Sequence, residues 1–226
     1  MKDLTILYIT ANKIPENFAE YQRKVLLEAI GDYPLVSISR NPLDFGKNLI
    51  DTAGISASNI YRIILRGAKE AETEYIAIAE DDTLYPKEHF DFYRPEKDTF
   101  AYNQNRFSLF TWGVPTYSWR NRKTNATLIA PRKLLIEALE ERFAKYPSGT
   151  APNISGELGR ERIEKSLGIT IRKSVEVFSG ISVIQINHEM GIDDRAKRHK
   201  KTLGPIKAYD MPFWGRADEL IEHFKQ

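Results

Sequence analysis

The 226-residue chain contains no cysteine. Disulfides, thiolate metal sites and cysteine nucleophiles are therefore excluded, and the absence fits a reducing compartment. Long apolar runs are missing too. The opening MKDLTILYITANK holds only about six consecutive apolar residues, too few for a secretory core. No window approaches the roughly 18 apolar residues of a membrane span. These two absences predict a cytoplasmic protein. Neither charge dominates, since 33 Lys and Arg against 31 Asp and Glu leave a formal net charge of +2. A glycine-rich loop after the first strand is also lacking, and ITANKIPEN stands there instead.

What is present suits a folded enzyme. Eleven Tyr and eleven Phe argue against disorder, and the length suffices for one core. Repeats and low-complexity linkers are missing, so a single domain over 1–226 is expected. LTILYIT (Leu4 to Thr10) reads as a strand. ENFAEYQRKVLLEAIG follows as a helix, with Phe18, Tyr21, Val25, Leu26 and Ala29 at helical spacing and Gly31 as its stop. PLVSISR is a second strand, and NPLDFGKNLIDTAGIS a loop. A second helix starts near Ser58, and EYIAIAE is a third strand. Strands separated by helices of this length predict a mostly parallel sheet with helices on its faces. The segment Tyr85 to Lys123 reads as irregular and aromatic. An amphipathic helix spans Arg132 to Lys145, SGISVIQINH is a late strand, and ADELIEHFK a weak terminal helix.

Charge is unevenly placed. Glu80, Asp81 and Asp82 stand side by side where the third strand ends. An acidic triplet in a loop is most often a solvated turn. At the end of a buried strand, unpaired acids would be costly, and a hard divalent cation offsets their repulsion. Residues spaced by two along an extended chain point to one side. Glu80 and Asp82 are therefore the expected metal pair, with Asp81 facing away or toward a sugar. Because ligands sit at carboxyl ends of parallel strands, Thr10, Ala11, Asn12 and Arg40 are expected to border the same crevice. Thr10 and Asn12 alternatively cap the following helix.

This order, strand, helix, strand, helix, then an apolar strand ending in EDD, resembles the nucleotide-sugar half of GT-A glycosyltransferases. It is most similar to the large inverting family whose acids form a DXD motif, here with Glu80 in the first place. TLIAPRKLLIEALEE and GISVIQINHEMG resemble later elements of the same fold. The resemblance implies a nucleotide-sugar half over 1–100 and an acceptor half over 101–226. It implies a nucleotide-diphosphate donor, a UDP-sugar by expectation, with Mn²⁺ or Mg²⁺. Glu80 and Asp82 would hold the ion, and His188 would complete its shell. Thr10, Ala11, Asn12, Arg40 and Asp81 would line the donor, and Arg66 would reach its phosphates.

Inverting transfer needs a base for the acceptor hydroxyl. Glu157 is the first choice, followed by Glu161, Asp193 and Asp194. Glu157 is also well placed simply to open a helix. The basic run holding Arg195 and Lys201 is either a solvated face or a cover for the departing diphosphate. Phe107, Phe110, Trp112, Tyr117 and Trp119 are divided between core packing and stacking on an acceptor. That acceptor is a glycan or a hydroxymethylated base in DNA. The rival readings are a nucleotidyltransferase using a nucleoside triphosphate and Mg²⁺, disfavoured by the missing glycines, and a non-catalytic nucleic-acid-binding domain, disfavoured by the balanced charge.

Overall fold

The computed structural model describes residues 2–54, 56–148, 156–190 and 204–225. The first half runs β1 (Leu4–Ile9), α1 (Glu16–Ile30), β2 (Leu35–Ser39), β3 (Lys47–Ile50), α2 (Ala57–Glu70) and β4 (Tyr75–Glu80). Next come β5 (Thr83–Leu84), α3 (Lys87–Asp91), β6 (Thr99–Asn103), β7 (Arg106–Phe110) and β8 (Tyr117–Trp119). β9 (Leu128–Pro131), α4 (Arg132–Lys145), α5 (Glu161–Leu167), β10 (Lys173–Val177) and β11 (Val183–Asn187) follow. The described chain ends in β12 (Ile206–Ala208), β13 (Asp210–Met211), β14 (Gly215–Arg216) and α6 (Ala217–Lys225).

Seven strands form the main sheet in the order β10-β6-β9-β4-β1-β2-β3. Only β9 runs antiparallel to its neighbours β4 and β6. β1 and β4 are buried at nearly every position, as apolar runs at the centre of a helix-covered sheet must be. One face packs Leu7, Ile38, Ile76 and Ile78 under Tyr61, Ile64 and Ala68 of α2 and Leu135, Ala138 and Leu139 of α4. The other packs Leu4, Ile6, Tyr8, Ala77 and Ala79 against Leu26, Ala29 and Ile30 of α1. α1 also turns Phe18 and Ala19 toward a second, five-stranded sheet, β12-β8-β7-β11-β5, and toward Leu220, Ile221 and Phe224 of α6. Thus α1 is wedged between two sheets, which explains why its buried positions spread around more than one stripe.

α2 approaches β1 closely at Gly67. A methyl group there would overlap the Leu7 side chain, with Cδ2 at 2.9 Å, and sit 3.1 Å from Ile38 Cδ1. Overpacking of this kind destabilises by about 1–3 kcal/mol, while Ala gains about 1 kcal/mol over Gly in helix propensity. Gly67→Ala should therefore lose about 0–2 kcal/mol in urea unfolding, instead of gaining stability as at an exposed helical glycine.

Two expectations need correction. The expected loop after β2 contains β3, so the acid-bearing strand is the fourth. β3 is a half-exposed edge strand held by side chains. Asn48 Nδ2 donates to Ser37 Oγ at 2.9 Å and Ser39 Oγ at 2.8 Å, and such a strand shows no apolar alternation. The segment read as irregular holds β6, β7 and β8, the first of them buried throughout. The expected late strand SGISVIQINH forms, as β11, and joins the second sheet parallel to β7. No helix among the described residues is long and apolar enough to cross a membrane.

Candidate functional site

The chain crosses from one sheet to the other at the acids. β4 ends at Glu80, and β5 begins at Thr83 as the antiparallel partner of β11. The Asp82 carbonyl accepts from Ile186 N at 2.7 Å. From α1, Gln22 Nε2 donates to the Thr83 carbonyl at 2.9 Å. The backbone beneath the three carboxylates is therefore fixed from both sheets and a helix. All three are partly buried, so the solvated-turn alternative is not what forms.

Asp81 and Asp82 make the turn from β4 to β5, and that turn sends Asp81 one way and Asp82 the other. Glu80 and Asp82 turn to one side and share a single donor, Gln185 Nε2, at 3.3 Å from Glu80 Oε2 and 3.4 Å from Asp82 Oδ1. Thr83 Oγ1 also donates to Asp82 Oδ1, at 2.8 Å. His188, buried, holds Nε2 3.7 Å from Asp82 Oδ2. Gln185 is itself held by Arg106, whose Nη1 donates to Gln185 Oε1 at 2.9 Å. Arg106 is only 5% exposed. Burial and the nearby Arg122 push its pKa down to about 10, while Glu80 and Asp82 pull it up, so it stays cationic at neutral pH.

Asp81 points the other way, accepting a 2.6 Å hydrogen bond from Thr10 Oγ1. Burial and the Asp82 charge push its pKa up to about 7, opposed by the Thr10 hydroxyl and the backbone N–H groups of Asp81 and Ala11. Asn12 follows in the left-handed region at φ 51°, a conformation Asn tolerates better than most residues. Its Oδ1 accepts from the N–H groups of Arg40 at 2.8 Å and Asn41 at 3.1 Å. Thr10 and Asn12 therefore stitch the ends of β1, β2 and β4 together. They do not cap α1, which starts after Pro15 without a side-chain cap.

Arg40 borders this edge, donating to the Ala53 carbonyl and lying 3.8 Å from Asp51 Oδ2. Arg66 donates to the Ile50 carbonyl at 2.7 Å, and the described contacts place it on β3 and not at the acids. Glu157, 8% exposed, accepts from Arg160 Nη1 at 2.7 Å. It lies beside Tyr61, whose pKa burial and the Glu157 charge push up to about 12. No described contact joins Glu157 to Glu80 or Asp82. Glu161 is exposed and paired with Lys165 at 2.5 Å. Asp193, Asp194, Arg195 and Lys201 lie outside the described residues. Of the five aromatic candidates, Phe110 and Tyr117 are core, while Phe107, Trp112 and Trp119 remain partly exposed.

Sequence reading missed Gln185 and Arg106. The only signal was a polar residue interrupting an apolar strand in VIQIN, and a cation opening RFSLF in alternation with apolar residues. As a cation seat, the site offers two carboxylates converging on one donor. Among the described residues no three His, Asp or Glu converge as metal ligands. That donor set suits Mg²⁺ or Mn²⁺, which usually take one or two carboxylates and complete their shell with substrate phosphates and water. An open groove of about 700 Å³ lies at the other end of β4, lined by Thr73, Glu74, Lys97 and Arg132 among others.

No protein-family model matches the sequence, and no curated protein matches it. Solved structures are similar in fold. A glycosyltransferase involved in glycosylation of the major capsid of PBCV-1 is 12% identical with a TM-score of 0.50, over 89% of this chain and 100% of that one. The bifunctional IspDF of Campylobacter jejuni is 11% identical with a TM-score of 0.46, over 78% of this chain and 50% of that one. A TarS fragment from S. aureus, in complex with UDP-GlcNAc, is 12% identical with a TM-score of 0.47, over 84% of this chain and 60% of that one. The chain thus spans half of the Campylobacter protein and the full length of the capsid-glycosylating one. Together with a largely parallel central sheet flanked by helices, the full-length likeness to the PBCV-1 enzyme shows that this chain has a GT-A-like fold.

Proposed function

We propose that this protein transfers a sugar from a nucleotide-diphosphate donor, a UDP-sugar by the family resemblance, to an acceptor hydroxyl. One observation carries the reading. Glu80 and Asp82 share a donor at the carboxyl end of a central strand, where such sheets take their ligands, and the fold resembles that of a glycosyltransferase.

In this reading Glu80 and Asp82 hold Mn²⁺ or Mg²⁺, which when bound neutralises charge on the diphosphate. His188 orients Asp82, and Gln185 keeps the two carboxylates together. Thr10, Ala11, Asn12 and Arg40 form the rim for base and ribose, and Asp81 stiffens that rim through Thr10. During transfer the acceptor oxygen bonds to the anomeric carbon as the bond from that carbon to the diphosphate oxygen breaks. The electron pair leaves with the diphosphate, and a carboxylate takes the acceptor proton. Glu157 is our candidate for that base, and inversion at the anomeric carbon follows from the family resemblance. The basic run from Arg195 to Lys201 is proposed to cover the departing diphosphate. The acceptor is a glycan or a hydroxymethylated base in DNA, the second requiring exposure of the base.

Thermal unfolding with a panel of nucleotide diphosphates, with and without Mn²⁺, tests the reading. A ligand at 100 times its Kd stabilises by about 2.7 kcal/mol, which raises Tm by about 5–10 °C for a chain of this size. UDP is expected to give that shift only with the metal. A panel without any shift would reject the proposal. Turnover on hydroxymethylated DNA against simple glycans then separates the acceptors.

A further inference from the structure

β11 is flanked on both sides, and its Gln185 is paired with Thr83 of β5 and Ser108 of β7. Arg106 stands two residues before Ser108 on β7 and shares that face of the sheet. Its Nη1 donates to Gln185 Oε1 at 2.9 Å and to Ser108 Oγ at 3.3 Å. At the other end of the same amide, Nε2 donates to Glu80 Oε2 at 3.3 Å and to Asp82 Oδ1 at 3.4 Å. One neutral amide thus bridges a guanidinium and two carboxylates.

The polarity of that bridge is fixed at both ends. A guanidinium only donates hydrogen bonds, and an ionised carboxylate only accepts them. Reversed, the amide would set N–H against N–H at Arg106 and oxygen against oxygen at the acids. Arg106 therefore keeps the Gln185 N–H turned toward Glu80 and Asp82. The guanidinium charge is felt there too, since both acids pull the Arg106 pKa upward against burial. Holding Arg106 in this place is costly. It is buried, and its Nε has no hydrogen-bond partner, whereas apolar side chains of similar volume often replace buried charges without loss of stability. Packing alone gives no reason for a cation here.

We propose that Arg106 is a positioning residue that competes with the metal: through Gln185 it presents positive charge to Glu80 and Asp82 and so lowers the cation affinity of the free protein. A divalent ion at the acids meets the amide N–H and the guanidinium beyond it as like charge. Whatever these two groups give the carboxylates is therefore taken from the ion. This role deepens the cation-seat part of the glycosyl-transfer reading and rests on it.

Titration of the full chain with Mn²⁺ alone, followed by loss of the paramagnetic resonance signal of the free ion, tests the role by its sign. Arg106→Met removes the charge and the donors at similar length. It should bind Mn²⁺ about tenfold more tightly than wild type, whereas a merely structural role for Arg106 would make binding weaker. Arg106→Lys keeps a charge and a donor and should stay near wild type. Gln185→Met should tighten binding as well, and adding Arg106→Met to it should gain less than Arg106→Met gains alone. The full gain in that background would mean that Arg106 does not act through the amide. Should unfolding curves show that the Arg106 variants do not fold, the partly exposed Gln185 decides by the same sign. Asp82→Asn should abolish the binding measured, and binding that survives it would lie elsewhere and overturn the role. Weaker, equal or absent Mn²⁺ binding by a folded Arg106→Met protein overturns it too, even if UDP with Mn²⁺ still stabilises wild type. Tighter binding in that variant, with no nucleotide diphosphate bound by wild type, keeps the role and rejects the glycosyl-transfer reading.

Discussion

Asp82→Asn should lower the rate of sugar transfer by about a hundred- to a thousandfold, the loss typical of removing one preorganised group that stabilises a developing anion, here through the cation Asp82 would hold. The substitution keeps size and shape. An amide oxygen can still accept from Thr83 Oγ1 and Gln185 Nε2, now at 2.8 Å and 3.4 Å, and the Asp82 carbonyl keeps its bond from Ile186. The fold should therefore persist, with a Tm near that of wild type. What disappears is one of the two negative charges that converge on Gln185 Nε2, and with it half of the proposed cation seat. Glu80→Gln should act in the same direction. Steady-state kinetics with the donor identified by thermal shift, at saturating Mn²⁺, measures the effect. An Asp82→Asn enzyme within about tenfold of wild type would remove the acids from the mechanism.

A second large effect concerns acid stability and arises away from the acids. His89 of α3 is fully buried among Tyr85, Phe90 and Phe92, and its Nδ1 lies 3.1 Å from Asn103 Nδ2. Burial pushes its pKa from the ordinary 6.5 down to about 3. Above pH 6.5 neither the folded nor the unfolded chain carries a proton there, so His89 has no effect. Below that pH the unfolded chain takes up a proton that the folded chain refuses until about pH 3. Stability should then fall by about 1.4 kcal/mol per pH unit from this residue. Between pH 7 and pH 5 the loss is about 2 kcal/mol, or about 4–8 °C in Tm. His89→Leu, whatever its stability at pH 7, should show a flatter Tm profile between those pH values. An unchanged slope would mean that His89 is protonated in the folded protein.

Both predictions draw on positions of different legibility. The acids stood out because a buried apolar strand ended abruptly in charge, and spacing by two suggested pairing Glu80 with Asp82, although a turn and not a strand carries Asp82 there. α4 matches its expected bounds, Arg132 to Lys145, because its apolar residues recur at helical spacing and a Pro precedes it. β3 was hidden because an edge strand half in water needs no apolar face, and side-chain bonds from Asn48 hold it instead. β6 to β8 were hidden in an aromatic stretch where core and surface residues are of the same types.

Order along the chain settled the helices, the central strands and the carboxylates at their ends, since each depends on the chemistry of neighbours within a few residues. Which distant groups meet those carboxylates was settled only by the folded chain. Gln185 arrives 103 positions after Asp82, and Arg106 reaches it by strand pairing within the second sheet. Such meetings depend on how two sheets close around α1, a packing problem whose solution no local pattern encodes.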